Sequence, residues 1–195
     1  MGKLAIISEE TVRKIVTRQL AFDAVRAAFE AVAVDRSRVF DVVIGTGLHG
    51  GEAFAIKSGI DNEHEIVGFK CGTYWAGNFD MGLPAHGSTV MLLDPDTGFP
   101  KAIVNASYLN GYRTAAADAI AVSCLARSDA AVLGVIGAGH QAEQELVTLG
   151  ESPGRIADSQ ITVFDSSGIA IQDLAVAGAV FEAAQQMDQI QYVDF

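Results

Sequence analysis

Only two cysteines, Cys71 and Cys124, occur in the 195 residues, and they form no C-x-x-C pair. That excludes a disulfide framework and a cysteine-based zinc site. Cys71 falls in an apolar strand pattern and Cys124 in an alanine-rich helical one, so both are read as small core residues. The four histidines, His49, His64, His86 and His140, lack metal-ligand spacing, so no metal site is expected. Positive charge is scarce as well. Thirteen Lys and Arg face 24 Asp and Glu, for a net charge of −11 with no basic run. Such a chain lacks the electrostatic footprint of a nucleic-acid binder or of a protein lying on an anionic membrane. No apolar stretch reaches membrane-spanning length and no signal peptide is visible, which leaves the cytoplasm as the default location.

What is present suits a soluble protein with a sizeable core, since half of the residues are hydrophobic and the length allows one or two domains. Ser8 is placed to cap a first helix running to Val16. Leu20, Ala24, Ala27, Ala28, Ala31 and Val32 form the stripe of a second helix, and Phe22 and Phe29 beside it suggest packing on a sheet. From Val39 to Val104 the period changes to strands: Val39–Ile44, Ala53–Ser58, Ile66–Tyr74, Thr89–Leu93 and Ala102–Val104. Asp94-Pro95-Asp96-Thr97-Gly98 is a turn. Strands this close together, with no helix between them, favour an antiparallel sheet. Residues Ser107 to Ala126 read as a helix, Ala131–Ile136 and Ile161–Phe164 as strands, Ala170–Met187 as a helix, and Ile190–Phe195 as a last apolar piece.

The strand Ala131–Ile136 runs into Gly137-Ala138-Gly139-His140-Gln141-Ala142, the G-x-G-x-x-A form of the dinucleotide fingerprint. Its glycines permit a tight turn and close approach of backbone N–H groups to a pyrophosphate. Ala142 lets the following helix pack closely, with its positive end toward the phosphates. Only 53 residues follow Ala142, too few for the remainder of a complete doubly wound sheet, which normally takes roughly 130–170 residues with its crossovers. Asp165 follows the second strand, 26 residues beyond Gly139, where an acid often binds ribose hydroxyls.

Three cations and one histidine are candidates for chemistry. Alternation in Ile66–Cys71 puts Val67, Phe69 and Cys71 on one face and Gly68 and Lys70 on the other. Lys70 therefore either points into a cleft, where it would hold a carboxylate, or snorkels on a solvated face. Lys57 has the same two readings. Arg113 opens the alanine-rich helix, where a guanidinium and a helix N-terminus together favour a carboxylate; its alternative is a solvated pair with an acid such as Asp118. His86, read as a loop residue, is a candidate proton donor.

Val67-Gly68-Phe69-Lys70, Gly82-Leu83-Pro84-Ala85-His86, Leu93 to Gly98, Tyr112-Arg113-Thr114-Ala115-Ala116-Ala117 and Val135 to Ala142 together resemble the ornithine cyclodeaminase/μ-crystallin family, in order and spacing, over residues 1 to about 145. The tail from Ile161 to Ala175 resembles that family's C-terminal segment, where the chain returns to the substrate domain. The resemblance implies an α/β fold: an N-terminal α+β substrate-binding and dimerisation domain (1–126) with an antiparallel sheet, a truncated Rossmann-like segment (127–168) with a seam between Glu143 and Gly150, and a returning C-terminal helix (169–195). It removes Asp165 from the ribose role and leaves no residue for the family's catalytic aspartate.

Carried over by position, Lys70 and Arg113 hold a substrate carboxylate. Lys57 substitutes for an arginine of the first strand that has no counterpart here. Lys70 and His86 are the catalytic candidates. Gly137, Ala138, Gly139, His140, Gln141, Ala142 and Thr114 contact NAD or NADP. The local motifs resemble the imine-reducing branch, which implies NAD(P)-dependent reduction of an imino acid, or the reverse, by a homodimer acting on small amino or imino acids. Ornithine cyclodeamination and a non-catalytic shortened member are the alternatives.

Overall fold

Ser8 and Thr17 start two helices as an N-cap does. The Ser8 hydroxyl accepts from the Thr11 amide at 3.2 Å and opens α1 (Glu9–Ile15). The Thr17 hydroxyl accepts from the Leu20 amide at 3.1 Å and opens α2 (Arg18–Ala33). In this computed structural model, which describes residues 2–126, 134, 135, 137, 139–149 and 168–195, α2 buries Ala21, Val25, Ala28 and Ala31. The expected stripe thus lies about one residue off its centre, with Leu20, Ala24 and Val32 along its margin. The expected strand at Ile161–Phe164, with Asp165, lies outside the described residues, as does most of the strand expected at Ala131–Ile136.

A strand absent from the expectations, β1 (Lys3–Ile7), precedes α1. Leu4, Ala5 and Ile7 are all buried, so the segment lacks the polar–apolar alternation that marks a half-exposed strand. The run Val39–Ile44 is not one strand but two, β2 (Ser37–Val39) and β3 (Val43–Thr46). Both pair with β4 (Glu52–Asp61), Val39 opposite Gly59 and Val43 opposite Ile56. Four steps on one side against three on the other insert an extra residue, which breaks the edge as a bulge does.

Four further strands, β5 (Ile66–Trp75), β6 (His86–Leu93), β7 (Pro100–Asn105) and β8 (Gln191–Asp194), complete a sheet ordered β2-β4-β5-β6-β7-β1-β8, with β3 also on β4. It is antiparallel except where β1 runs parallel to β7. The turn at Asp94–Gly98 forms as expected: Gly98 takes φ +71°, and the Asp94 carboxylate accepts from the Thr97 amide at 2.8 Å.

α3 (Leu109–Leu125) and α4 (His140–Leu149) follow, and then α5 (Ala170–Gln186). α5 contacts the sheet through β4 to β7 and also packs against α2 and α3. Twelve of its 17 residues are buried, as a helix apolar all round requires. It is therefore the middle layer of the core. No helix among the described residues is long and apolar enough to cross a membrane.

Candidate active site

Directly opposed residues on neighbouring strands share a face. Lys57, Lys70, Val90, Val104 and Ile7 make one such row from β4 to β1. Val90, Val104 and Ile7 are 0–1% exposed, so the row faces the helices and carries both lysines inward with it. Lys70 is 6% exposed, which decides between its two readings in favour of a buried, inward-facing ammonium. Two like charges directly opposite each other repel and need anions or dipoles nearby.

The start of α5 supplies them. Asp173, 4% exposed, accepts from Lys70 Nζ at 2.9 Å and lies 2.9 Å from Arg113 Nε. The Gly168 carbonyl accepts from Lys57 Nζ at 2.8 Å. Gly168 takes φ +66°, which favours glycine, and a Cβ there would push the Arg113 guanidinium from its place beside Asp173. The Ile169 amide donates to Gln172 Oε1 at 3.0 Å, which satisfies that buried oxygen and fixes the helix entry at Ile169, four residues before Asp173. Arg113 sits in the second turn of α3 rather than opening it, and its close counter-ion is Asp173 rather than Asp118.

Lys57, Lys70 and Arg113 thus come together, organised by residues 168–173. Asp173 and Gly168 carried no role in the sequence reading. One signal was available: Asp173 is the only charge between Ala170 and Phe181 in a segment otherwise apolar or small apart from Gln172.

Burial lowers the Lys70 pKa below that of an ordinary lysine, and the charges of Arg113 and Lys57 act in the same direction; Asp173 opposes them. Lys70 Nζ also donates to Asn110 Oδ1 at 2.5 Å. His86 is the first residue of β6 rather than part of a loop. It shares the Lys70 face but lies two same-face positions along the sheet, with its ring 4.8 Å from that of Tyr74. Cys124, expected in the core, is instead exposed on α3, while Cys71 is half-buried. A helix that buries one face leaves the other to solvent whatever its alanine content.

In the fingerprint, Gly137 takes φ +114°, and among the described residues no atom lies within 4 Å of where a Cβ of Gly137 or Gly139 would stand. Space beside these two glycines ahead of α4 suits a pyrophosphate at a helix N-terminus. Ala138 lies outside the described residues. His140 begins α4, Ala142 is partly buried in it, and Thr114 is partly buried on α3 next to Arg113. The Gln141 side chain points away from the turn: its amide nitrogen lies 2.5 Å from Glu145 Oε1 and 3.5 Å from the Gly111 carbonyl. α4 is thereby joined to α3 two residues from Arg113, which brings the glycine turn and the cation cluster onto one helix layer.

Glu145, 8% exposed, stands beside Asp118 where α4 meets α3. Burial raises both carboxyls above their ordinary range; the Asp118 charge adds to the effect on Glu145, which is pushed up to about 7. The folded chain therefore keeps a proton that the unfolded chain releases above its ordinary value of 4.5. The stability tied to that proton is full below about pH 4.5 and is lost as pH rises to about 7. We expect Glu145→Gln to gain up to about 2 kcal/mol on the native chain across that interval. Urea midpoints at a series of pH values measure it, and parallel curves for the two proteins would refute it.

Two model matches to the ornithine cyclodeaminase/mu-crystallin family cover residues 5–149 and 145–188. The chain is 38% identical over 138 residues to iminosuccinate reductase of Paracoccus denitrificans, covering 71% of this chain and 43% of that protein. It is 33% identical over 148 residues to alanine dehydrogenase of Archaeoglobus fulgidus, covering 74% and 44%. The matched part is thus under half the length of these relatives. A solved structure of the Paracoccus denitrificans reductase in complex with NAD+ superimposes with a TM-score of 0.87 at 23% identity, covering 100% of both chains. An archaeal alanine dehydrogenase dimer with bound NAD gives 0.85 at 20% identity, again over 100% of both. At those identities the likeness establishes the mixed α/β fold, while the sequence matches establish descent: the chain belongs to the ornithine cyclodeaminase/mu-crystallin family.

Proposed function

We propose that this chain is an NAD(P)-dependent oxidoreductase that reduces an imino acid, with its C=N bond alpha to a carboxylate, to an amino acid, or runs the reverse reaction. The observation that carries this reading is the convergence of Lys57, Lys70 and Arg113 on residues 168–173 at the start of α5, beside a helix layer that also bears the fingerprint glycines. A guanidinium and an ammonium side by side bind a carboxylate well. Fixing that carboxylate fixes the imine carbon, so much of the rate comes from positioning. A bound nicotinamide dinucleotide supplies a hydride to carbon.

Gly137, Ala138, Gly139, His140, Gln141, Ala142 and Thr114 would hold the dinucleotide, Gln141 through its backbone because its side chain is engaged with α3 and Glu145. Lys70 gives a proton to the imine nitrogen and is reprotonated from water. Its lowered pKa suits that transfer, and the placement of His86 against Tyr74 favours Lys70 as donor.

The relatives named as a reductase and a dehydrogenase support imine reduction over cyclodeamination. The family match in two blocks that overlap at residues 145–149 supports a shortened dinucleotide segment within 127–168 between a substrate domain (1–126) and a returning helix (169–195). A homodimer is supported by the outer sheet face. There Ser58, Phe69, Met91, Ile103 and Ile6 form a cross-strand row of which all are partly exposed, flanked by Ile60 and Val67. The cytoplasm remains the expected compartment.

The test is calorimetric titration of NADH and NADPH into the purified chain, followed by NAD(P)H oxidation assays with 2-oxo acids plus ammonia and with cyclic imines. Saturable binding below about 1 mM and net cofactor oxidation are expected. Ornithine turnover without net oxidation would favour a cyclodeaminase, and absence of binding would favour a non-catalytic member.

A further inference from the structure

A buried ammonium that serves a reaction has to keep one N–H free for the substrate while its other two are satisfied. Lys70 has two acceptors among the described residues, Asp173 Oδ1 at 2.9 Å and Asn110 Oδ1 at 2.5 Å. They differ in kind, one a carboxylate and the other a neutral amide. Asn110 lies three residues before Arg113 on α3, so the two side chains share a helix face. Its amide has a defined orientation, because Nδ2 donates to Ser88 Oγ at 2.7 Å and only the oxygen end is left for Lys70. Ser88 is itself buried, and its backbone amide donates to Ser107 Oγ at 3.1 Å, just before α3 begins. A chain of defined contacts therefore runs from the β6 backbone through Ser88 and Asn110 to the Lys70 ammonium.

We propose that Asn110 is a positioning residue for imine reduction: its Ser88-oriented amide oxygen fixes the Lys70 ammonium with one N–H left for the substrate nitrogen, without adding a second negative charge that would hold the proton. This rests on the imine-reducing reading above. The charged groups facing Lys70 are Asp173 from α5, Arg113 from α3 and Lys57 from β4, while β6 presents Val90 opposite Lys70, then Ser88, with His86 two same-face positions away. A carboxylate in place of Asn110 would even the count of negative and positive neighbours and tighten the hold on the proton. An apolar residue would leave a buried ammonium donor and the Ser88 hydroxyl without their partner.

The experiment measures the reactivity of Lys70 toward reductive methylation as a function of pH, by peptide mass spectrometry on the whole chain. Asn110→Asp, equal in size, is expected to move the labelling midpoint up by about one pH unit or more. Ser88→Ala, which frees the amide to turn over, is expected to broaden or shift the midpoint by a smaller amount in either direction. In steady-state imine reduction, Asn110→Asp is expected to lower kcat by about tenfold or more with KM changed far less. An unshifted midpoint in both variants, with circular dichroism matching the native chain, overturns the proposal. If the native chain reduces no imine yet the midpoint shifts, the hold on Lys70 stands and the assigned reaction is what fails.

Discussion

Asp173→Asn is expected to lower the unfolding free energy by about 3–5 kcal/mol, the cost of removing one partner from a buried ion pair. The substitution preserves shape and removes only the charge, so it leaves Lys70 at 6% exposure and Arg113 beside it without the one carboxylate that pairs with both among the described residues. Guanidinium chloride midpoints measure the loss. The isosteric pair of apolar replacements separates charge from packing. Lys70→Met combined with Asp173→Leu removes two of the three charges and is expected to recover only the share of that loss due to Lys70, since Arg113 still lacks the carboxylate 2.9 Å from its Nε. A single Asp173→Asn variant as stable as the native chain would mean that water reaches the cluster and screens it.

The second large effect concerns rate. Lys70→Met is expected to reduce imine turnover by about a thousandfold, because it removes the proposed proton donor together with a positive charge beside the carboxylate site. The cofactor should still bind, since Gly137 and Gly139 lie ahead of α4 and not in the sheet that carries Lys70. Calorimetry with NADH and the oxidation rate together decide the matter. A fall in rate of only a few-fold would place the proton donor elsewhere, with His86 the next residue to test.

Sequence patterning reached the cations but not what organises them. Alternation in β5 put Gly68 and Lys70 on a common face, yet which face is buried depends on α5, which arrives about a hundred residues later. Arg113 was legible as a carboxylate-binding residue, but Asp173 takes part of its capacity in the folded chain. Asp173 lay within the stretch that carried the family resemblance, without an assigned role, because a single acid in an apolar helix says nothing of its partner. His86 was read as a loop residue since Pro84 and Gly87 flank it, whereas pairing with Tyr74 draws it into β6. Composition alone places Cys124 in the core. Its exposure follows from which face of α3 meets α2 and α5.

Local chemistry was enough to specify the helix cap at Ser8, the Asp94–Gly98 turn, the alternating strands from β4 to β7 and the glycines ahead of α4, because each depends on neighbours only a few residues away. Folding in three dimensions settled the rest. It buried β1 by pairing it with β7, set Gly168 against Arg113, and placed one carboxylate between two cations from different elements. Those outcomes turn on contacts between segments as much as a hundred residues apart, and on the low-dielectric interior they enclose, in which a lysine and an aspartate require each other.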